Sequence, residues 1–350
     1  MQYSGLINNT TVLDEVLTTP SGAVIEAMQR LQGDIMILGA GGRMGVSLAL
    51  LAQNAIRKAG LSKRIICVSR FTNPRNRNEL ARAGIEMITC DLLDGVAIQK
   101  LPAVENVIYM VGMRPEHPGQ MPKTWAVNSF LPGIVVHKFV QSRIVLFSTG
   151  HVYPPADIRL GGSSETDPVG PVGEYAQSAL ARERIFDFFC GKLEIRGVIL
   201  RLAHAVELRY GMLLEIARKV SLQEPIDLSH SHLNLIWQGD VNSIALRAFE
   251  YAKTPPPVIN VSGPETVSVR KLAMVFARHF RTTPIFEGTE NEQAQLCDTT
   301  LCNRLFGYPD VSLGQLIKWT ANWIKLDAPT WNNSHAPAHT LHRQSFERLS

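Results

Sequence analysis

The sequence predicts an α/β fold in which a parallel sheet is covered by helices on both faces. From Asp34 onward, short apolar runs such as "DIMILGA" and "RIICVSR" alternate with helical stretches such as "MGVSLALLAQNAIRKAG". Strands that are apolar on both faces indicate a sheet buried between two layers. Crossovers in such a sheet are right-handed, so we expect a doubly wound, Rossmann-type domain.

The alternation of strands and helices stays regular as far as the strand "LEIRGVILRL" and becomes irregular after Arg201. We expect the later elements to form a smaller C-terminal lobe that faces the strand ends, where a substrate would bind. The sequence therefore predicts four parts. They are a helical lead-in (1–33), a Rossmann domain (34–205), a mixed substrate lobe with elements returning to the sheet (206–327) and an extended tail (328–350).

Composition excludes several classes of protein. The 350 residues carry a net charge of only +4 and no block of lysine and arginine, which argues against a nucleic-acid partner. The first residues, "MQYSGLINNTTVLDEVL", resemble no signal peptide, and no apolar run is long enough to cross a membrane. Five scattered cysteines are typical of reduced thiols. We therefore expect a cytoplasmic protein with a small-molecule substrate and no membrane partner.

The segment "ILGAGGRMGVS" places three glycines at three-residue spacing between a predicted strand and a predicted helix. Gly39 permits a tight turn, Gly42 lets the backbone approach a pyrophosphate, and Gly45 lets the helix pack closely on the sheet. Amide groups at the helix start then face the phosphates. The spacing and its context predict a dinucleotide-binding loop.

The end of the second predicted strand indicates which dinucleotide binds. An acidic residue there would select NAD, but "ICVSRFTNPRNR" has Ser69 and Arg70 in that place. Arg43, inside the glycine loop, adds a second positive charge. A hydroxyl and guanidinium groups suit a 2′-phosphate, which favours NADP. If Arg70 instead stacks on adenine, NAD also binds.

Several segments in the right order resemble the extended short-chain dehydrogenase/reductases, the NAD(P)-dependent epimerase/dehydratase family. They are the glycine loop, "CDLLD", "AVNSF", "LFSTGHVYPP", "GEYAQSALARE" and "VINVSGPETVSVRKLA". The resemblance implies that Asn128 holds a helix distortion and a water, and that Thr149 binds the substrate oxygen. It implies that Tyr175 transfers the proton as hydride moves to or from nicotinamide. It also implies a homodimer formed through the helices that contain Asn128 and Tyr175.

The glycine loop, the residues at the end of the second predicted strand and the family resemblance together predict one cofactor site. Asp91, within "CDLLD", is expected near the adenine, and no metal site is predicted. The predicted cofactor-binding residues are Gly39, Gly42, Arg43, Met44, Gly45, Ser69, Arg70, Asp91 and Leu92.

The family's catalytic lysine is missing, because Ala179 stands four residues after Tyr175. Residues four apart share a helix face, so a lysine there would favour the phenolate. Free tyrosine has a pKa of about 10, and lowering it by three units takes roughly 4 kcal/mol. Arg182, Lys123 and Arg114 are candidate replacement cations. A neutral tyrosine still donates to a carbonyl, so reduction is less impaired than oxidation.

The substrate class stays open between several alternatives. The segment "ELRYG" does not reproduce the family's Asn-Tyr-Gly-Pro signature, which disfavours a nucleotide sugar, although Arg209 and Tyr210 could meet an anionic group. A smaller sugar, a sugar acid or another polyhydroxylated carbonyl compound fits equally well. The first hypothesis is therefore an NAD(P)-dependent oxidoreductase or epimerase of this type. The alternatives are a non-catalytic NADP(H) sensor and a dehydratase or isomerase with His151 or Glu165 as base.

Overall fold

A seven-stranded parallel sheet forms the centre of the molecule, as the sequence predicts. The structure is a computed structural model, and it describes residues 5–115 and 117–331. The sheet strands are β1 (Ile35–Leu38), β2 (Ile65–Ser69), β3 (Glu86–Thr89), β4 (Asn106–Tyr109), β5 (Arg143–Thr149), β6 (Gly197–Leu202) and β7 (Val258–Val261).

Helices cover the sheet and build the lobe beside it. They are α1 (Thr10–Thr18), α2 (Gly22–Arg30), α3 (Gly45–Lys58), α4 (Pro74–Arg82), α5 (Gly95–Gln99), α6 (Met121–Trp125), α7 (Leu131–Lys138), α8 (Glu174–Leu193), α9 (Met212–Leu222), α10 (Gln238–Arg247), α11 (Val269–Phe280), α12 (Thr300–Phe306) and α13 (Leu313–Lys325). A π-helical turn, Ala126–Phe130, joins α6 to α7.

The strand order β7-β6-β5-β4-β1-β2-β3 puts the first strand in the middle of the sheet. Ile35 is in register with Ile65 of β2 on one side and with Asn106 of β4 on the other. The chain therefore winds outward in both directions from β1, and a crevice opens between the loops at the carboxyl ends of β1 and β4. All four residues of β1 are buried, as expected for a central strand covered on both faces.

A second apolar core lies outside the sheet and joins the two ends of the chain. It packs Leu13 and Leu17 of α1 against residues of α9, α11 and α13, including Trp319. The N-terminal segment is tied down further, since Trp319 Nε1 donates a hydrogen bond to Gly5 O (2.8 Å). Residues 1–33 thus carry two helices that pack on the rest of the protein, while the predicted four-part division stays a prediction.

The predicted tail is described only for residues 328–331, and its other residues lie outside the described part of the chain. Within residues 5–115 and 117–331, no helix has the length and apolar character needed to cross a membrane.

Candidate active site

The glycine loop adopts a backbone that side chains would obstruct. Gly39 has φ of +89°, and a Cβ there would lie 3.1 Å from the amide nitrogen of Val111, which follows β4. A Cβ on Gly45, the first residue of α3, would lie 2.5 Å from Ala40 Cα. Only Gly39 O (3.4 Å) is near the position of a Gly42 Cβ, so that side of the loop is open. The loop is a cradle of the shape a dinucleotide pyrophosphate needs.

The end of β2 lies directly against this cradle. A Cβ on Gly41 would come within 2.5 Å of Ser69 Oγ, and Asn76 Nδ2 donates to Gly41 O (2.9 Å). Arg70 follows Ser69 and is exposed. The structure thus brings the predicted Ser69 and Arg70 beside the loop, and it adds Asn76, which the sequence did not single out.

The other predicted cofactor residues differ in which of their groups are available to a ligand. Asp91 is exposed just after β3, and its carboxylate accepts the amide of Leu93 (3.1 Å). The Leu92 side chain is buried in the core, so only its main chain is available. Met44 precedes α3 without a side-chain cap, which leaves the first amides of that helix open to a ligand.

Arg43 points toward the C-terminal lobe. Its guanidinium carbon lies 5.0 Å from the centroid of the Tyr210 ring. The Trp331 ring stacks on the same Tyr210 ring, with the two ring centroids 5.1 Å apart. Arg209 in turn lies 4.9 Å from the Trp331 ring. Two arginines and two aromatic rings therefore alternate beside the glycine loop, and they connect it to the lobe.

Asn128 is fully buried inside the π-helical turn, so a helix distortion is present at the position where the resemblance implies one. Its Oδ1 accepts the amide of Met113 (2.9 Å), and its Nδ2 donates to Met113 O (2.9 Å) and to Ser178 Oγ (2.9 Å). Ser178 Oγ donates to Tyr175 O (2.8 Å). Asn128 thereby links the loop after β4 to the beginning of α8.

Thr149 and Tyr175 both lie at the carboxyl end of the sheet. Thr149 is the last residue of β5, and its hydroxyl accepts the amide of His151 (3.3 Å). Tyr175 is the second residue of α8 and is half-buried. Ala179, one turn further along α8, is 1% exposed and packs with Val152.

Arg182 fills the space behind Asn128. This arginine, 6% exposed, donates from Nη2 to Asn128 Oδ1 (2.7 Å), from Nη1 to Phe147 O (2.9 Å) and from Nε to Asn128 O (3.4 Å). A Cβ on Gly112, an exposed residue after β4, would lie 3.0 Å from Nη2. A buried cation thus sits between α8, the π-turn and the ends of β4 and β5.

A second basic cluster lies on the open side of Tyr175. The guanidinium carbon of Arg114 is 5.1 Å from the Tyr175 ring centroid, and Arg114 Nη2 is 3.4 Å from His151 Nε2. The His151 ring lies 6.2 Å from that of Tyr175 and 6.3 Å from that of His204. Burial, together with the charge of Arg114, lowers the pKa of His204 to about 4. Lys123 is exposed on α6, and no described contact joins it to this cluster.

A family model described as "NAD dependent epimerase/dehydratase family" matches residues 35–261, from the first residue of β1 to the last residue of β7. The chain belongs to this family. No curated protein matches it in sequence.

Solved structures of low sequence identity share the fold. Pal from Bacillus thuringiensis superposes with a TM-score of 0.69 at 18% identity, over 83% of this chain and 99% of its own. UDP-glucose 4-epimerase from Thermotoga maritima, with UDP-glucose, gives 0.68 at 15% identity, over 83% and 98%. UDP-glucuronic acid 4-epimerase from Bacillus cereus, with UDP-glucuronic acid and NAD, gives 0.68 at 17% identity, over 83% and 99%.

Sequence reasoning missed a buried ion pair that this family member has beneath its Thr149 loop. Arg201 Nη2 binds Glu183 Oε2 (2.7 Å), and both side chains are at most 5% exposed. Arg201 Nη1 also donates to Tyr153 OH (2.6 Å), and Glu183 accepts Ser148 Oγ (2.5 Å). The signal was present: an arginine is the next-to-last residue of the apolar strand "GVILRL", and a buried arginine needs a partner.

Other candidate residues turn out to be engaged in the fold. Arg209 is buried and pairs with Glu207 and with Asp14 (2.8 Å), so its charge is already compensated. The carboxylate of Glu165 accepts the amide of Asn260 (2.8 Å), and burial raises its pKa. In the described part of the chain, no group of three or more His, Cys, Asp and Glu side chains is arranged to hold a metal ion.

Proposed function

We propose that the chain is an NAD(P)-dependent oxidoreductase or epimerase that acts on a sugar-like or other polyhydroxylated carbonyl compound. One observation carries the proposal. The glycine cradle opens at the carboxyl edge of the sheet, at the switch point beside β1, and Thr149 and Tyr175 stand at the same edge.

The residues present fit a dinucleotide. The Cβ positions of Gly39 and Gly45 are blocked by backbone, so these two positions accept only glycine, while the open side at Gly42 leaves room for a pyrophosphate. The uncapped amides at the start of α3 would bind its oxygens. A bound nicotinamide supplies or accepts the hydride.

Residues of the chain itself then bind the reacting oxygen of the substrate and transfer its proton. The Thr149 hydroxyl, which accepts from His151 N, still has its own hydrogen to donate to a substrate oxygen. The Tyr175 phenol donates its proton to a carbonyl oxygen in reduction and takes it back in oxidation. Asn128 keeps the start of α8 aligned with the loop after β4 through Ser178 and Met113.

We further propose a preference for NADP. Ser69 and Arg70 end β2 where an acidic residue would meet the ribose hydroxyl, and Arg70 is exposed and available to a 2′-phosphate. The solved neighbours named above include one with NAD, so NAD binding is the alternative that a cofactor comparison would reveal.

The substrate proposal rests on the same edge of the sheet. Two of the neighbours are UDP-sugar epimerases, yet Arg209, which could meet a diphosphate, is already paired with Glu207 and Asp14 here. We therefore favour a smaller sugar or sugar acid over a nucleotide sugar.

Dimerisation is also part of the proposal. Phe130 at the end of the π-turn is 63% exposed and Phe188 on α8 is 61% exposed, and exposed aromatic side chains on neighbouring helices support a helix-to-helix contact between two copies. Analytical ultracentrifugation tests it. All five cysteines are free and buried, which supports a reducing compartment such as the cytoplasm.

The test is reductive turnover. Wild type, Tyr175→Phe and the control Tyr308→Phe, whose ring is 75% exposed in a loop, are screened with NADPH against aldoses, ketoses, sugar acids and UDP-sugars. Loss of a general acid should slow turnover by about 100- to 10,000-fold in Tyr175→Phe alone. Turnover at the wild-type rate in Tyr175→Phe would contradict the assigned role, and cofactor binding without turnover of any compound would favour the sensor alternative.

A further inference from the structure

Arg182 is a buried cation without a buried anion beside it. Its side chain is 6% exposed, and among residues 5–115 and 117–331 it forms no ion pair. Taking a guanidinium out of water is costly unless hydrogen bonds or a charged partner compensate it. The next residue, Glu183, is fully engaged by Arg201 and Ser148. In the described part of the chain, the fold therefore holds a positive charge here that hydrogen bonds satisfy and no carboxylate neutralises.

The guanidinium also has donors to spare. An arginine has five N–H groups, and three of those of Arg182 bind Asn128 Oδ1, Asn128 O and Phe147 O. The remaining ones have no partner among the described residues. Nη2 lies against Gly112, an exposed residue just after β4, where even a methyl group would come within 3.0 Å. Nη2 is thus close to the exposed main chain at Gly112, on the loop that follows β4 beside β1.

A chain of hydrogen bonds connects Arg182 through Asn128 to the main chain at Tyr175. Arg182 donates to Asn128, whose amide donates to Ser178, which in turn donates to Tyr175 O. Arg182 follows Tyr175 by seven residues, two turns along α8, and a helical side chain points back toward the N-terminus of its helix. The guanidinium therefore lies against Asn128, N-terminal to its own Cα along α8 and on the side of Ala179.

Arg114 and Lys123, the other two candidate replacement cations, are less suited to a fixed role. Arg114 stacks on the Tyr175 ring, but it is exposed on a loop, and Lys123 is exposed on α6. Solvent screens exposed charges, whereas a buried and hydrogen-bonded guanidinium keeps both its position and its field.

From this geometry we infer that Arg182 is the positioning residue of the cofactor site, a fixed cation beneath the nicotinamide end that replaces the missing lysine. The inference rests on the proposed function. Arg182 orders Asn128 and the loop at Gly112, and its spare donors face the nicotinamide ribose rather than the adenosine. Its removal should therefore weaken binding of a whole dinucleotide and leave binding of an adenosine fragment unchanged.

The experiment uses calorimetric titration of the full-length protein with two probes. One is the reduced dinucleotide that wild type binds, NADPH or NADH, and the other is its nicotinamide-free counterpart, adenosine 2′,5′-bisphosphate or ADP. Arg182→Met should weaken the dinucleotide by about tenfold or more, the effect of losing a charged hydrogen bond, and should change the fragment by less than about twofold. Arg184→Met, an exposed arginine on the same helix, is the matched control and should change neither.

A swapped cation sharpens the test. In Ala179→Lys/Arg182→Met the charge moves to the neighbouring turn, and dinucleotide affinity should return to within about threefold of wild type. Arg182→Gln keeps a donor for Asn128 without the charge, and Asn128 Oδ1 also keeps its bond from Met113, so this variant covers the case in which Arg182→Met does not fold. Thermal melts confirm folding of each variant.

The possible outcomes distinguish a positioning role of Arg182 from a purely structural one. Equal weakening of both probes assigns Arg182 to the fold alone and overturns the inference, and so does unchanged dinucleotide binding in either variant. A folded swap without regained affinity also overturns it. If wild type binds no dinucleotide at all, the proposed function fails first and the inference falls with it. Selective loss with recovery in the swap establishes the positioning role.

Discussion

The glycine loop and the Tyr175 helix, two regions at the same edge of the sheet, are built on different principles. The loop depends on backbone geometry, since Gly39 and Gly45 lie where any Cβ would meet main-chain atoms. The helix region depends on side-chain charges on α8 and β6, with Arg182 and the Glu183–Arg201 pair buried at its base. A site built from backbone tolerates almost no substitution, whereas a site built from charges can keep a charge and change the residue that supplies it.

Gly45→Val tests most directly whether the backbone geometry of the glycine loop is needed for cofactor binding. Its side chain would overlap the main chain of Ala40, so we expect loss of measurable dinucleotide binding and a destabilisation of about 1–3 kcal/mol from overpacking. NADPH fluorescence titration and urea unfolding measure the two effects. Gly95→Val at the start of α5, with nothing within 4 Å of its Cβ, is the control. Retained binding in Gly45→Val would show that the loop is not the cofactor cradle.

Arg201→Met tests whether the buried Glu183–Arg201 ion pair stabilises the Tyr175 helix region. It would leave the Glu183 carboxylate buried without its cation, which typically costs about 3–5 kcal/mol. Urea unfolding should show this loss, whereas Arg159→Met, which breaks an exposed ion pair with Asp157, should leave the midpoint unchanged. Similar midpoints for the two variants would mean that the buried pair does not support the region.

His204 gives the same region a pH dependence. Its pKa of about 4 in the folded protein lies below the ordinary 6.5, so the unfolded chain takes up the proton first as the pH falls. The stabilisation is complete above pH 6.5 and is lost as the pH falls toward 4, by roughly 3 kcal/mol in all. His204→Asn, which tolerates the left-handed φ of 43°, should flatten this part of the stability profile. An unchanged profile would contradict the lowered pKa of the half-buried His204 imidazole.

The smallest effect concerns cofactor choice at the loop. Arg70→Ala should weaken NADPH by about tenfold and NADH by less than about twofold, because only NADPH carries the 2′-phosphate that the Arg70 guanidinium is proposed to bind. Calorimetric Kd values for both cofactors measure the ratio, and Arg77→Ala, an exposed arginine on α4, serves as the comparison. Equal weakening of both cofactors would indicate that Arg70 stacks on adenine.

The difference between the two regions also explains what the sequence could predict. The parallel sheet and the glycine loop follow from local patterns, because apolar runs and three-residue glycine spacing need no distant partner. The candidate catalytic residues were found by resemblance, which aligns Tyr175 and Thr149 but says nothing of what surrounds them.

Contacts between residues far apart in the sequence could not be predicted from it. The contact of Arg182 with Asn128 joins residues 54 positions apart, and the pair between Arg201 and Glu183 joins a strand to a helix. The stacking of Trp331 on Tyr210 depends on how the chain returns after α13. Such pairs are set by how the elements pack in three dimensions, and no periodicity in one segment encodes them.

Cofactor binding is the claim on which everything else depends, and a titration of wild-type protein with NADPH, NADP⁺, NADH and NAD⁺ tests it most directly. Fluorescence of the reduced forms and heat of binding should both report a single site, with NADPH bound more tightly than NADH. Binding of NADH and not NADPH would overturn the assignment of Ser69 and Arg70. Binding of none of the four would contradict the account as a whole, because the glycine cradle would then serve some other purpose.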